Sequence, residues 1–364
     1  MFSALFHTTI HVHKRTYKLY RQLPGGNRAT VHLARDTSPL QTLVIVKKVV
    51  AHDLQQLARA LAEVDLHRRL DHPHIVQLLA STSVDSHVSS TTEVYSVLAL
   101  AEQGHLWEFA SSKPLSASDK LRVLRETASA IACVHSHGFI HMDIKLENVL
   151  VDCDGRCLLC DFGSAWKGEV SNPSHLSKRE RLELEEHIQQ NCTPMYCAPE
   201  LIDLHSPLLI GPAVDVWALG CILYTLCFGL HPFGEASAVS ILSANWCPPA
   251  GAIVDDGFMA LIGAMLRARP EARPSAAAIT EGVKYLESLD TNTTSHRKTA
   301  VRLSPLEACA IEHLAKLLNP AAARVLAEPA REELDRSKVV RMLEERSQEI
   351  LALDNRLFKR QSTN

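Results

Sequence analysis

Four polar side chains sit at spacings suited to moving a phosphoryl group. In His141-Met142-Asp143-Ile144-Lys145-Leu146-Glu147-Asn148 an aspartate, a lysine and an asparagine fall within six residues. A second aspartate follows in Asp161-Phe162-Gly163, and Ala198-Pro199-Glu200 closes the stretch. Phosphoryl transfer asks a protein mainly for positioning and for stabilisation of charge. Asp143 can accept or orient the proton of an attacking hydroxyl, and Lys145 can neutralise the phosphate in transit. Asn148 and Asp161 offer oxygen ligands, which magnesium demands. Each string alone is a weak signal, but in this order around one cleft they form a set.

From Tyr17 to Leu286 the chain resembles a protein kinase, on those strings and on several others. The resemblance implies ATP and Mg2+ as cofactors, and Asp143, Lys145, Asn148 and Asp161 as the residues that use them. Lys47, in Val44-Ile45-Val46-Lys47-Lys48, resembles the strand lysine that contacts the α- and β-phosphates, with Lys48 as the alternative. Glu63, in Ala62-Glu63-Val64, resembles the helix glutamate that pairs with that lysine. Ile45 stands where an alanine usually lies over the adenine ring, which narrows that pocket. In the phosphate loop, Leu23-Pro24-Gly25-Gly26-Asn27-Arg28-Ala29-Thr30-Val31, the residues expected at the nucleotide are Leu23, Gly25, Gly26 and Val31. Pro24 and Ala29 occupy two positions usually held by glycine, so the loop is stiffer than a glycine-rich one. Adenine recognition falls to the backbone of Ala99, Leu100 and Ala101, with either Leu98 or Ala99 as the residue behind the pocket. Glu200 is expected to pair with Arg273, and Asp215 to hold the catalytic loop; both roles are structural.

Finer strings resemble the Numb-associated kinase family. They are Asp161-Phe162-Gly163-Ser164-Ala165, Asn191-Cys192-Thr193-Pro194-Met195-Tyr196 and Trp217-Ala218-Leu219-Gly220-Cys221-Ile222-Leu223-Tyr224. That resemblance implies transfer to protein serine or threonine, clathrin-adaptor components as substrates, and a cytoplasmic place at endocytic membranes. It also implies an extra helix just after Ala198-Pro199-Glu200, at 204–212. Lys145 and Thr193 are the residues that resemble serine/threonine rather than tyrosine kinases. Met142 departs from the arginine usual between His141 and Asp143. An arginine there pairs with a phosphate on the activation segment. Methionine cannot, so this segment is expected to be ordered by packing. The rival reading is a catalytically weak or dead kinase acting as a nucleotide-binding scaffold, favoured by Met142 and the eroded loop.

These side chains need elements to position them. The reading is an α+β, two-lobed fold, with a small β-rich lobe before a larger helical one. Strands are expected at Tyr17-Leu23, Thr30-Arg35, Leu43-Val50 and Val94-Leu100. Helices are expected at Leu54-Leu70, with Leu57, Leu61, Val64 and Leu66 near one face, and at Asp119-His135, Val214-Phe228, Ser237-Leu242 and Phe258-Leu266. The domain scheme is an N-terminal extension at 1–16, a kinase domain at 17–287, a linker at 288–303 and a helical tail at 304–364. In the tail, Leu343, Ile350 and Leu357 recur every seven residues, but Arg346 interrupts the pattern. It is either a helix packed on the domain or a weak coiled coil that binds a partner or a second copy. A net charge of -3 gives no support to nucleic-acid binding. No apolar run approaches the ~20 residues of a membrane helix. The ten cysteines sit in apolar or helical contexts, which points to a reducing compartment. Cys153, Cys157 and Cys160 read as residues of a hairpin around Asp154-Gly155 rather than as zinc ligands. Met1 to Thr16 lacks the apolar core of a secretory signal.

Overall fold

The computed structural model describes residues 9–24, 29–85, 90–234, 237–252, 254 and 256–290. The chain divides into two compact units, Met1–Val283 and Lys284–Asn364. Of the second, the described part is 284–290, the end of one helix.

The first unit begins with strands β1 (Thr9–Val12), β2 (Arg15–Leu23), β3 (Ala29–Asp36) and β4 (Leu43–Ala51). Helix α1 (Leu54–Arg69) follows, then β5 (Leu78–Asp85) and β6 (Thr92–Ala99). The six strands form one antiparallel sheet in the order β1-β2-β3-β4-β6-β5. Side chains alternate faces along a strand, and cross-strand partners share a face. Val44 and Val46 turn to one face, where they close a core with Ile10, Val12, Tyr17, Ala34, Tyr95 and Val97. Burying an apolar side chain of this size contributes about 1.5–3 kcal/mol relative to leaving it exposed. Lys47 and Val49 turn to the other face. There α1 packs, with Ala60 and Val64 against Val49, Val94 and Leu78. Asp53 caps α1 by accepting from the Gln56 N–H at 2.7 Å. Leu61, expected on the packed face of α1, is instead exposed.

Two strands of this sheet lie outside the sequence expectation. β1 falls within the supposed extension at 1–16, so the sheet starts earlier than 17. β5, Leu-Leu-Ala-Ser-Thr-Ser-Val-Asp, carries small polar residues without clean alternation, because as an edge strand it faces solvent over much of its length.

The larger lobe contains α2 (Leu106–Ser112), α3 (Ala117–Ser136), β7 (Phe139–Ile140), β8 (Val149–Val151), β9 (Cys157–Leu159) and β10 (Trp166–Lys167). It continues with α4 (Lys178–Asn191), α5 (Pro199–Ile202), α6 (Ala213–Phe228), α7 (Ala238–Leu242), α8 (Asp256–Met265) and α9 (Ala276–Asp290). α6 is apolar on all sides and buried from Val214 to Thr225, so it forms the lobe's central axis. Gly220 lets α8 come close: a Cβ there would meet Met265 Cβ and Leu266 Cδ2 at 2.9 Å. The β8–β9 hairpin turns at Asp154-Gly155, with Cys153 at the turn and Cys157 in β9.

The extra helix expected at 204–212 is not there. That stretch is turn and extended chain, with Ile210 bridging to Val170. Pro207 and Pro212 remove donors and fix φ, which leaves no room for a full helical turn between them. The helix α4, also outside the sequence expectation, lies before Ala198-Pro199-Glu200. α9 runs to Asp290, past the expected start of the linker at 288. The rest of that linker, the 304–364 tail with its heptads, and Gly25 and Gly26 lie outside the described residues. Among the described residues, no helix is long and apolar enough to cross a membrane.

Candidate active site

The sheet builds the upper wall of the cleft by register alone. Leu23 pairs with Val31, Val31 with Lys47, and Lys47 with Ser96, so these residues form one row on one face. In a neighbouring row Ile45 pairs with Leu98. Leu98 therefore faces the cleft, whereas Ala99 pairs with Val44 on the opposite, core face. Alternation also separates the two candidate lysines: Lys48 points away and pairs with Glu93 at 2.5 Å. The Ala99 N–H donates to the Gln77 carbonyl at 3.0 Å, so Ala99 has only its carbonyl to offer adenine. Leu100 and Ala101 come directly after it, with Ala101 buried.

Because α1 lies on the Lys47 face, it brings Glu63 to the lysine. Lys47 Nζ donates to Glu63 Oε1 at 2.6 Å and to Asp161 Oδ1 at 2.7 Å. Burial works against a charged ammonium here, but the Glu63 and Asp161 carboxylates outweigh it and hold Lys47 above the ordinary lysine range. The protein packed around the Asp161 carboxylate likewise opposes its ionisation, although the side chain is half-exposed at the cleft, yet the Lys47 ammonium holds its carboxyl well below the usual range. Gly163 permits this approach, since a Cβ there would lie 3.1 Å from Glu63 Oε2.

The catalytic loop hangs from α6. Asp215, fully buried, accepts the N–H of His141 at 2.8 Å and of Met142 at 3.0 Å, and His135 Nε2 lies 2.8 Å from it. Met142 has φ 69°, a conformation these two hydrogen bonds help to hold. The His141 ring is oriented from both sides. Its Nδ1 accepts the Asp143 N–H at 3.3 Å, so Nε2 carries the proton and donates to Cys160 O at 3.1 Å.

Asp143 is the hub of the acceptor side of the cleft. Its Oδ2 accepts from Lys145 Nζ at 2.7 Å and from Asn148 Nδ2 at 3.0 Å. Its Oδ1 accepts the Thr193 hydroxyl at 2.6 Å, and Lys145 Nζ reaches Thr193 Oγ1 at 2.9 Å. A hydroxyl donor beside Asp143, with an ammonium next to it, is the arrangement a hydroxyl acceptor needs. Asn148 spends its amide N–H groups on Asp143, which leaves Oδ1 for a cation. The Cys160 N–H donates to Asn148 O at 2.9 Å, tying the Asp161 turn to the Asn148 turn. Among the described residues no cluster of three His, Cys, Asp or Glu side chains stands ready for a metal. One carboxylate and one amide oxygen fit magnesium that arrives with nucleotide phosphates and keeps water for its other ligands. Asn148 and Asp161 would hold that Mg2+, which would supply positive charge to offset the phosphates.

Between Asp161 and Glu200 the chain is fixed by contacts that involve no phosphate. β10 pairs with β7, and Val170 and Ile210 exchange backbone bonds at 2.9 and 3.0 Å. Ser177 and Glu180 form a reciprocal cap on α4. Leu184 and Ile188, one turn apart, are its buried residues. His187 contacts Ser164 O at 3.0 Å and meets Trp166 edge-on at 4.9 Å, while Ser164 Oγ donates to Asn191 O at 2.9 Å. The Met142 side chain is buried.

His67 is a residue that sequence reading missed. From α1 its ring packs edge-on against Phe162 at 4.9 Å, and His141 packs on Phe162 at 5.4 Å. The three rings join α1, the Asp161 turn and the catalytic loop. Burial lowers the His67 pKa and keeps it neutral while it bonds Val76 O at 2.6 Å. Its place one turn after Glu63 was the available signal.

Comparison with known proteins agrees with this geometry. The model of the protein kinase domain matches residues 17–283. A probable serine/threonine-protein kinase of Dictyostelium discoideum is 30% identical over 287 residues, 76% of this chain and 25% of its own length. The actin-regulating kinase PRK1 of Saccharomyces cerevisiae is 31% identical over 281 residues, 74% of this chain and 34% of its own. Serine/threonine-protein kinase 16 of Rattus norvegicus is 26% identical over 290 residues, 77% of this chain and 93% of its own. The chain spans a quarter to a third of the length of the first two of these relatives. A match over most of the chain, falling on a cleft where Lys47, Glu63 and Asp161 meet above Asp143, places this chain in the protein kinase family.

Proposed function

We propose that the chain is an active, magnesium-dependent serine/threonine kinase that transfers the γ-phosphate of ATP to protein hydroxyls. The observation that carries this reading is the assembled lysine: Lys47 touches Glu63 at 2.6 Å and Asp161 at 2.7 Å at once. Lys47 and Glu63 would set the α- and β-phosphates, and Asn148 and Asp161 would hold magnesium. Asp143 would receive the hydroxyl, and Lys145 would meet the γ-phosphate. The test is transfer from labelled ATP with magnesium to a threonine peptide and to the chain itself, with Asp143→Asn as control. Transfer by the parent alone supports the proposal. No transfer at ATP concentrations that saturate binding replaces it with the scaffold reading.

ATP affinity is expected to be modest, because Pro24 and Ala29 stiffen the phosphate loop. Calorimetry should give a dissociation constant weaker than the low micromolar range; a tighter value refutes this.

The activation segment would need no phosphate. Met142 cannot bind one, and α4 supplies packing in its place. Phosphatase-treated protein should keep its activity within about twofold of untreated protein, since no charge-assisted bond is lost. Abolished activity would sink the idea.

At a finer level the motifs resemble the Numb-associated kinases, cyclin-G-associated kinase among them. One relative carries the name actin-regulating kinase, in keeping with the actin control that this resemblance implies. Clathrin-adaptor components as substrates, a cytoplasmic site at endocytic membranes, and a helix-mediated partner or dimer through 304–364 belong to the same proposal.

A further inference from the structure

We propose that a second cavity, between α1 and the segment that follows Asp161, binds a small aromatic anion that tightens nucleotide binding. The cavity measures about 340 Å³, which falls in the range of small-ligand sites. Leu23, Val31, Ile45 and Lys47 do not line it, so it is separate from the nucleotide cleft. Helical spacing makes one wall. Arg59, Ala62, Glu63 and Leu66 recur at three and four residues and share a face of α1, while Ala60 and Val64 turn to the sheet. Ala62 is exposed, because its methyl group leaves open a space that a longer side chain would fill. The other wall is aromatic. Phe139 of β7 and Trp166 of β10 come from paired strands, and His187 of α4 meets Trp166 edge-on at 4.9 Å. Such rings offer a flat apolar surface to another ring.

Charge selects an anion. Arg59 and Lys167 both line the cavity and both are exposed. Among the described residues, neither side chain makes an ion pair, a hydrogen bond or a ring contact. Glu63, one turn along α1 from Arg59, does not neutralise it, because Lys47 holds Glu63 Oε1 at 2.6 Å. Two cations without partners beside an aromatic wall match a flat ring that carries a carboxylate. The ring lies between α1 and Trp166, and the carboxylate meets the guanidinium and the ammonium.

The consequence comes from position. The cavity is shared by α1, which carries Glu63, by Phe162 and Gly163, which follow Asp161, and by α4. A ligand that bridges them favours the arrangement in which Glu63 and Asp161 meet Lys47 at 2.6 and 2.7 Å. By linkage, the nucleotide then tightens the anion by the same factor as the anion tightens the nucleotide. This coupling rests on the kinase reading; binding of the anion does not.

The full chain is titrated by calorimetry with 2-naphthoate. The controls are 2-naphthylmethanol, which has the rings without the charge, and acetate, which has the charge without the rings. We expect 2-naphthoate to bind with a dissociation constant below about 1 mM, and about tenfold tighter than either control. Arg59→Gln and Lys167→Gln, at exposed positions without partners, should each weaken it about fivefold, because each removes one charge-assisted contact. Ala62→Leu keeps a good helix former and fills the cavity, so it should abolish binding. All three variants should unfold at the parent's temperature. Saturating ATP with magnesium should tighten 2-naphthoate about threefold, and 2-naphthoate should tighten ATP equally. The proposal is overturned if 2-naphthoate fails to bind, if either control binds as well, or if the three variants bind it as the parent does. It is also overturned if ATP binds and leaves the affinity unchanged, or if ATP displaces 2-naphthoate, which would put the anion in the nucleotide cleft. If the parent neither binds ATP nor transfers phosphate, the three variants still decide the cavity, and the kinase reading falls with the coupling.

Discussion

Asp161→Asn should lower phosphoryl transfer by about a thousandfold, roughly 4 kcal/mol of transition-state stabilisation, while leaving the protein folded. The side chain is half-exposed, and its described partners are Lys47 and the Gly163 N–H. Its loss therefore leaves no large buried hole. What disappears is the carboxylate charge that magnesium needs, next to an ammonium that remains charged because Glu63 still faces it at 2.6 Å. An amide oxygen of the same size keeps the shape and loses the charge. Steady-state kinetics across a magnesium titration would measure this, alongside thermal unfolding. Activity within tenfold of the parent at saturating magnesium would mean that Asp161 does not hold the metal.

Arg273→Ala should produce the largest loss of stability. The Arg273 and Glu200 side chains are both fully buried, paired at 2.7 and 2.8 Å through two parallel bonds. The remaining guanidinium donors reach Arg267 O at 2.8 Å, Ala213 O at 2.9 Å and Ala268 O at 3.2 Å, so all five N–H groups are used. The guanidinium also stacks 5.0 Å from the Trp217 ring. Truncation leaves Glu200 as a buried charge without its partner, which costs about 3–5 kcal/mol. Arg273→Lys should recover only part of this, because one ammonium cannot serve acceptors on four residues in a planar fork. Urea or thermal unfolding of the variants gives the number, and a loss below about 1 kcal/mol would contradict it. Asp161→Asn, by contrast, should unfold close to the parent.

The candidate catalytic residues stood out in the sequence because the proposed chemistry restricts their types. A base, a phosphate-facing lysine and oxygen ligands leave few substitutes, so Asp143, Lys145, Asn148 and Asp161 stand out within short strings. Glu63 and Lys47 lie farther apart but on strongly patterned elements, a β-branched strand and a capped helix. The misses have a common cause. β5 and α4 have thin apolar patterns: β5 is an edge strand, and α4 buries only Leu184 and Ile188. A helix that packs two side chains gives periodicity little to detect, although Ser177 and Glu180 carried its cap signal. The misplaced helix at 204–212 came from resemblance, and the prolines in that stretch argued against it on local grounds.

Sequence by itself determined which groups are present, their order along the chain and the two-lobed class of fold, since short-range spacing and period carry that information. It left open which of Lys47 and Lys48, and which of Leu98 and Ala99, faces the cleft. Strand register decided both, because one residue's shift turns a side chain to the other face. Only the tertiary structure brought Glu63 to Lys47 across 16 residues and Asp161 to it across 114. It alone set the ring of His67 against Phe162, and the Thr193 hydroxyl against Asp143. Those contacts depend on how α1 lies on the sheet and how the segment before Glu200 folds back, which no local pattern encodes.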